Sequence, residues 1–532
     1  MKTARLIMIA ASIFMSVHIS FSVEFSIPIR FEIDTLRGYI CLQAKVNENQ
    51  ESEWFIFDTG SSVSLLYQAS AKRLGIEYDK EKWTSFSEHS VIRGGYRIPE
   101  ITLRININER LTIKLKGTAF VLSADESPLI VAVGGKLVEV AGIIGMNAFE
   151  AFFLKISYST REIIVSDTQF VLNEWQEVTA QSKDHLPFIR LKIGNKEWTA
   201  LLDSGWNGGL VVPFSVYKQY VPDISEIDSQ GEKEFFDVAK LFPPVKIGQN
   251  PLSYELITIT TRERPYLIIG SLEMIFYDWI IDREKRVYLR RRREAPKIHA
   301  NVPSPLFTNV NIFFDENLDI LAGTIPRSRA ARAGLTGECV VLSVNGIRVP
   351  PQDIPPSESL AKVLSRLLAN PFTETARLRV RCGEQEREVA FQLLPSDRII
   401  AVLMHYLPLG FNFASGSGDK EDDFEVELQV CEWLSYYRIN DHPIEPSSYE
   451  GRDSLKYSLV RILGLPEDFT IEDFWNHLYA YFSRGEPVVL VCLDEAAREV
   501  RLEVPPRQRM HDKPCSGSGK DAPQSRREKR DE

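Results

Sequence analysis

Two stretches of the chain end an apolar run on an acidic side chain: EWFIFDTGSS, residues 53–62, and EWTALLDSGWNGGLVVP, residues 197–213. Each opens on Glu-Trp, and each carries one of the only two Asp-[Ser/Thr]-Gly triplets in the 532 residues, Asp58-Thr59-Gly60 and Asp203-Ser204-Gly205. One such triplet arises by chance on the order of once in several chains of this size, whereas two in matching surroundings do not. Two carboxylates brought face to face cannot both ionise, so the pair shares one proton over a pH window. That state offers a general base and a general acid to one trapped water, with no covalent intermediate and no metal.

The surroundings of the two aspartates repeat as well. GYICLQAKVNENQESEWFIFDTG, ending at Gly60, and PFIRLKIGNKEWTALLDSG, ending at Gly205, both read as an alternating strand, a turn and a buried strand. Each is followed by an apolar-Ile-Gly segment, AGIIGMNAFEAFFLKISYSTREIIV from Ala141 and YLIIGSLEMIFYDWIIDREKRVYL from Tyr266. From Gly145 against Gly270 these match without a gap through Ile156/Ile281 and Arg161/Arg286 to Ile164/Leu289. Two landmarks in the same order, twice, predict a tandem lobe.

These residues resemble aspartic proteases, and specifically the exported bacterial retropepsin-like group, with two lobes in one chain as in pepsin-like enzymes. The resemblance covers residues 26–290 and rests on WFIFDTGSS with AKRLGI, AGIIG and LKISYSTREIIV. It implies two β-barrel lobes, 23–180 and 181–292, and peptide-bond hydrolysis by Asp58 and Asp203. Thr59, Gly60, Ser61, Ser204 and Gly205 would support the loops, the Thr59 and Ser204 hydroxyls cross-bracing them and the Ser61 hydroxyl reaching the carboxylate's outer oxygen. Lobe two departs from the pattern with Trp206 where lobe one has Ser61. In SVIRGGYRIPEITLRI, residues 90–105, the Gly94-Gly95 pair reads as the tip of a hairpin, with Tyr96 beside it as a flap residue over the cleft.

The second half resembles PDZ domains. IPRSRAARAGLTGECVVLSVNGIRV, the helical SLAKVLSRLLAN and the hairpin ARLRVRCGEQEREVAFQL outline one over 303–396. A degenerate copy is expected over 397–506, with YRINDHPIE standing for SVNGIRV and Cys492 falling on Cys382. There, Leu409, Gly410, Phe411 and Asn412 would form a carboxylate-binding loop of backbone N–H groups. The expected fold is thus mainly β: two retropepsin-like barrels followed by one clear and one degenerate PDZ-like α/β domain.

Composition fits a multidomain globular chain, 44% hydrophobic and 26% charged, and a net charge of −10 argues against nucleic-acid binding. Lys2, Arg5 and the apolar LIMIAASIFMSV before Ser20 and Ser22 read as an export signal over 1–22, which predicts a periplasmic or secreted protein without an integral membrane segment. Residues 507–532 read as a disordered tail. Six sparse cysteines and eight scattered histidines form no metal pattern, and no metal or cofactor is expected. Buried free thiols are the leading expectation, with Cys339–Cys382 and Cys431–Cys492 bridges as the alternative. The function expected is an endopeptidase acting on peptides or proteins, with PDZ domains binding C-terminal or extended segments. The rivals are a catalytically inactive peptide-binding relative and a PDZ-based envelope scaffold.

Overall fold

The computed structural model describes residues 25–504 except 82, 86–93, 106–110, 124–126, 181–185, 221–234, 240–242, 255, 261–263, 300–307, 316–317, 325–327, 352–353, 355–356, 396–410, 416–423, 430–436, 445–453, 467–470, 485 and 495. The expected export signal and C-terminal tail lie outside the described residues. Strands take 49% of the described residues and helices 12%, so the fold is mainly β. No helix among the described residues is long and apolar enough to cross a membrane.

Alternating apolar residues build the first lobe. In Ile40–Val46 and Ser52–Asp58 the inward side chains, among them Ile40, Leu42, Phe55 and Phe57, are almost fully buried. These two strands pair antiparallel within an eight-stranded sheet, and Ile40–Val46 also pairs with the long strand Gly94–Ile105, curling the sheet into a barrel. Lobe two repeats the arrangement around Phe188–Ile193 and Lys196–Leu202 in a second eight-stranded sheet.

A third sheet of six strands joins the lobes. Phe153–Ser157 of lobe one pairs antiparallel with Tyr277–Ile281 of lobe two. Lys155 and Ile280, equivalent positions of the sequence repeat, are direct partners in that pairing. The internal twofold axis therefore passes between them. A single buried cluster runs from Ile29 of lobe one to Leu289 of lobe two, with Trp279 and Tyr277 packed edge to face at its centre.

The glycine pair is not a hairpin tip. Gly94 and Gly95 lie within Gly94–Ile105 and face Ser85 and Thr84 across the ladder, while Tyr96 faces Trp83. Residues 86–93, between the two strands, lie outside the described residues. The glycines serve close packing: a Cβ on Gly94 would lie 2.3 Å from the Thr84 carbonyl, and one on Gly95 2.9 Å from that of Val121. Tyr96 is half-buried, packed between Tyr78 and Trp83.

A third unit has the sheet order Val310–Phe314, Ile320–Thr324, Cys339–Val344, Thr375–Cys382, Gln385–Gln392, with helix Glu358–Leu368 against the edge strand. Ser357 caps that helix by accepting from the Leu360 N–H at 3.2 Å. A fourth unit repeats the order as Phe411–Ser415, Phe424–Gln429, Ser454–Ile462, Val488–Leu493, Glu499–Val504, with helix Ile471–Arg484 in the matching place. Both units carry a ladder irregularity at equivalent points, Val341/Ser343 and Leu459/Arg461, followed by a left-handed glycine, Gly346 or Gly464.

This equivalence corrects the expected alignment. Ser454–Ile462, not YRINDHPIE, takes the place of Cys339–Val344. The small ladder Arg438–Ile439 with His442–Pro443 is an addition that extends the sheet beyond Glu499–Val504. Cys492 pairs with Leu459 as Val380 pairs with Val341, so it stands two residues short of Cys382's position. Leu409 and Gly410 lie outside the described residues, while Phe411 and Asn412 open the edge strand of the fourth sheet.

The leading thiol expectation is also corrected. Cys339 and Cys382 are bridged, their Cα atoms 4.5 Å apart on adjacent strands. Cys492 is a free, buried thiol, Tyr457 occupies the place of Cys339, and Cys431 lies outside the described residues. Non-reducing mass spectrometry should find the Cys339–Cys382 bridge, with Cys41 and Cys492 alkylated only after unfolding. Replacing both bridged cysteines by serine should lower unfolding free energy by about 2–4 kcal/mol in urea titrations.

Candidate active site

Each aspartate stands where its strand runs out. Ser52–Asp58 delivers Asp58, the chain turns through Thr59 and Gly60, and it leaves along Ser64–Leu66. Between the incoming and outgoing strands lies Gly142–Gly145, parallel to the first, with Gly145 beside Asp58, and antiparallel to the second. Lobe two does the same: Leu267–Ile269 runs parallel to Lys196–Leu202 and antiparallel to Leu210–Pro213. The Ile-Gly segments therefore thread behind both loops, as the repeat suggests. The carbonyl after each glycine is held alike, Ser61 O by the Met146 N–H at 2.8 Å and Trp206 O by the Ser271 N–H at 2.9 Å.

The loops clasp each other through hydroxyls. The Thr59 hydroxyl donates to Leu202 O at 2.6 Å and accepts from the Ser204 N–H at 3.0 Å. Reciprocally, the Ser204 hydroxyl donates to Phe57 O at 2.8 Å and accepts from the Thr59 N–H at 3.0 Å. Both residues are completely buried. Leaving any of these groups unpaired costs about 1–3 kcal/mol, so the brace holds or fails as a unit.

The brace sets the two carboxyls against the opposite loop's glycine. A Cβ on Gly60 would lie 2.4 Å from Asp203 Cγ, and one on Gly205 2.4 Å from Asp58 Cγ. Only glycine leaves room for that approach. Each aspartate also takes its own loop's N–H, Gly60 to Asp58 at 2.7 Å and Gly205 to Asp203 at 3.0 Å. The carboxyls hydrogen-bond each other.

Both keep some solvent access, yet the surrounding protein removes most of their water, and burial raises both pKa values. Asp203 is pushed further, because Asp58's charge acts on it as well; Arg264 opposes the rise only in part. Asp58 is eased by N–H groups of Gly60, Gly205 and Ser61. The two carboxyls accordingly titrate as one coupled pair.

Ser61 differs from expectation. Its hydroxyl donates to Val63 O at 2.7 Å, and it is the backbone N–H that serves Asp58. Trp206, its counterpart, lies beside Gly270 and Gly208 and is part-exposed. Gly94, Gly95 and Tyr96 belong to the Trp83–Tyr96 hairpin of lobe one; Phe411 and Asn412 belong to the separate fourth sheet and share no sheet with the aspartates.

Sequence reading missed the turn Asp34–Gly38. Asp34 is fully buried, accepts N–H groups of Leu36 (3.0 Å) and Ala132 (2.9 Å), and pairs with Arg37 at 3.6 Å. Its signal was available: an acid and a base three apart inside an apolar stretch, EIDTLRGYI, where neither belongs unpaired.

No protein-family model matches the chain, and no curated protein matches it significantly.

The raised carboxyl pKa values have a stability consequence whose sign is fixed. An acid whose folded pKa exceeds its unfolded value of about 4 holds its proton longer when folded, so stability falls as pH rises from about 4 through the raised value. Asp203→Asn has no proton to lose there. Urea titrations at stepped pH should show the parent's stability declining over that window and the variant's declining less, which leaves the variant the more stable at neutral pH.

Proposed function

We propose that this chain is an exported aspartic endopeptidase of the bilobal, retropepsin-like kind. The observation that carries the reading is the reciprocal seating of Asp58 and Asp203, each carboxyl over the opposite loop's glycine and the pair sharing one proton. A dyad so arranged holds a water between its oxygens. The ionised carboxylate takes a proton from that water as its oxygen attacks the scissile carbonyl carbon, while the protonated partner gives its proton to the carbonyl oxygen. The resulting gem-diol collapses as the newly protonated carboxyl gives its proton to the amide nitrogen, the other takes one from a gem-diol hydroxyl and the C–N bond breaks, which returns the dyad to its starting protonation. The pair needs no outside acid or base.

The paired strands Trp83–Ser85 and Gly94–Ile105 of lobe one, with Tyr96 facing Trp83, are the candidate flap. The third and fourth units, each with an edge strand beside or before a helix, are read as PDZ domains that add a peptide as a further strand. Their shared strand order and left-handed glycines support this reading for the fourth unit through topology rather than through the alignment first used.

Asp58→Asn and Asp203→Asn should each abolish nearly all hydrolysis of a mixed peptide library, and the double variant should be little worse than either, since the two act as one device. The parent's rate should follow a bell in pH, rising as the first dyad proton leaves and falling as the second does. Hydrolysis undiminished in a folded single variant would overturn the proposal.

A further inference from the structure

The third unit is not a tethered module. Leu36, Ile130, Ala132 and Leu137 of lobe one belong to the same buried apolar cluster as the third unit's core. The hairpin formed by Ile130–Val133 and Lys136–Glu139 lies against helix Glu358–Leu368 and strand Ile347–Arg348. A second attachment secures the linker: the His299 N–H donates to Pro371 O at 2.7 Å, and Lys297 pairs with Glu374 at 3.1 Å.

Both aspartate loops connect to this docked hairpin by short routes. Towards Asp58 the route is covalent: three residues after Glu139 the chain enters Gly142–Gly145, whose Gly145 lies beside Asp58. Towards Asp203 it runs through the turn Asp34–Gly38. Asp34 accepts from the Ala132 N–H, and Arg37 Nη1 donates to Ile130 O at 2.9 Å, so hairpin and turn move together. The turn then meets lobe two at Ser271, whose hydroxyl lies 2.6 Å from Arg37 O and 2.9 Å from Trp206 O. One buried hydroxyl proton is thus shared between a carbonyl of lobe one and a carbonyl of the Asp203 loop. Tyr39, next along the chain from Gly38, interacts electrostatically with Arg366 of the third unit's helix and with Asp203.

We infer that the docked third unit is part of the apparatus that positions the two aspartates, acting through the hairpin 130–139 and the Asp34–Arg37 turn, with Ser271 as the positioning residue that carries its effect to the Asp203 loop. This rests on the endopeptidase reading for its catalytic meaning, but the geometry itself does not. The charged and titratable groups facing Asp203 are Asp58, Arg264 and Tyr39, and a small shift of its loop changes its distance to all three.

The test uses the full chain with three substitutions: Ser271→Ala, Ser271→Thr, which keeps the hydroxyl, and Leu137→Ala at the hairpin's contact with the third unit. For Ser271→Ala and Leu137→Ala, kcat on a peptide substrate should fall about tenfold with KM little changed. The limb of the pH profile set by the second dyad proton should move, and Ser271→Thr should restore both. In parallel, ¹³C-carboxyl NMR of aspartate-labelled protein follows the dyad's two titration steps directly; these should draw together in the two alanine variants. An active parent whose alanine variants keep its kcat, pH profile and titration steps would overturn the inference and spare the endopeptidase reading. A folded parent with no hydrolysis would overturn that reading, and the NMR titrations would then decide the inference alone. A kcat loss that merely tracks a lower melting temperature, without rescue by threonine, would also overturn it.

Discussion

Two carboxyls held face to face are the constraint on which the rest of the two-lobed half depends. Left to themselves, Asp58 and Asp203 would separate or collect water, so the fold must oppose both outcomes. It does so with the Thr59–Ser204 clasp, whose members are buried and mutually satisfied, and with strands threaded behind each loop. Those strands are held in turn by the barrels, and the barrels by a sheet that crosses from one lobe to the other. A proton shared between the carboxyls is the local relief that makes the arrangement tolerable.

Symmetry produces the encounter but does not make the two aspartates equal. The twofold relation is close at the backbone, where Lys155 meets Ile280 and the carbonyls of Ser61 and Trp206 are held alike. It is broken in the side chains: Ser61 serves its own loop and Trp206 presents a ring beside Gly270. The two carboxyls therefore sit in different surroundings although their backbones match.

Much of this was legible in the sequence because it rests on short-range pattern. The triplets, the Ile-Gly segments and the gapless match after them each encode a local geometry twice, and repetition makes weak signals strong. The cross-brace of Thr59 and Ser204 was expected from the resemblance alone. What escaped notice depends on where strands lie rather than on what they contain. Gly94 and Gly95 looked like a turn because glycine does, yet here they admit neighbouring backbone and side chains. Cys492 resembled Cys382 in a linear alignment, but an extra small ladder shifts which strand takes which place. Ser271 and Arg37 meet through carbonyls, and a carbonyl carries no residue identity for a sequence pattern to record.

The sheet that crosses between Phe153–Ser157 and Tyr277–Ile281 has a consequence for how the molecule behaves outside a concentrated solution. Where a cleft of this kind is assembled from two separate chains, its population depends on how many chains are present, and dilution takes it apart. Here both halves of the interface belong to one polypeptide, so joining them is a step within a single molecule. The pairing of Asp58 with Asp203 is therefore as complete in a sparse medium as in a crowded one.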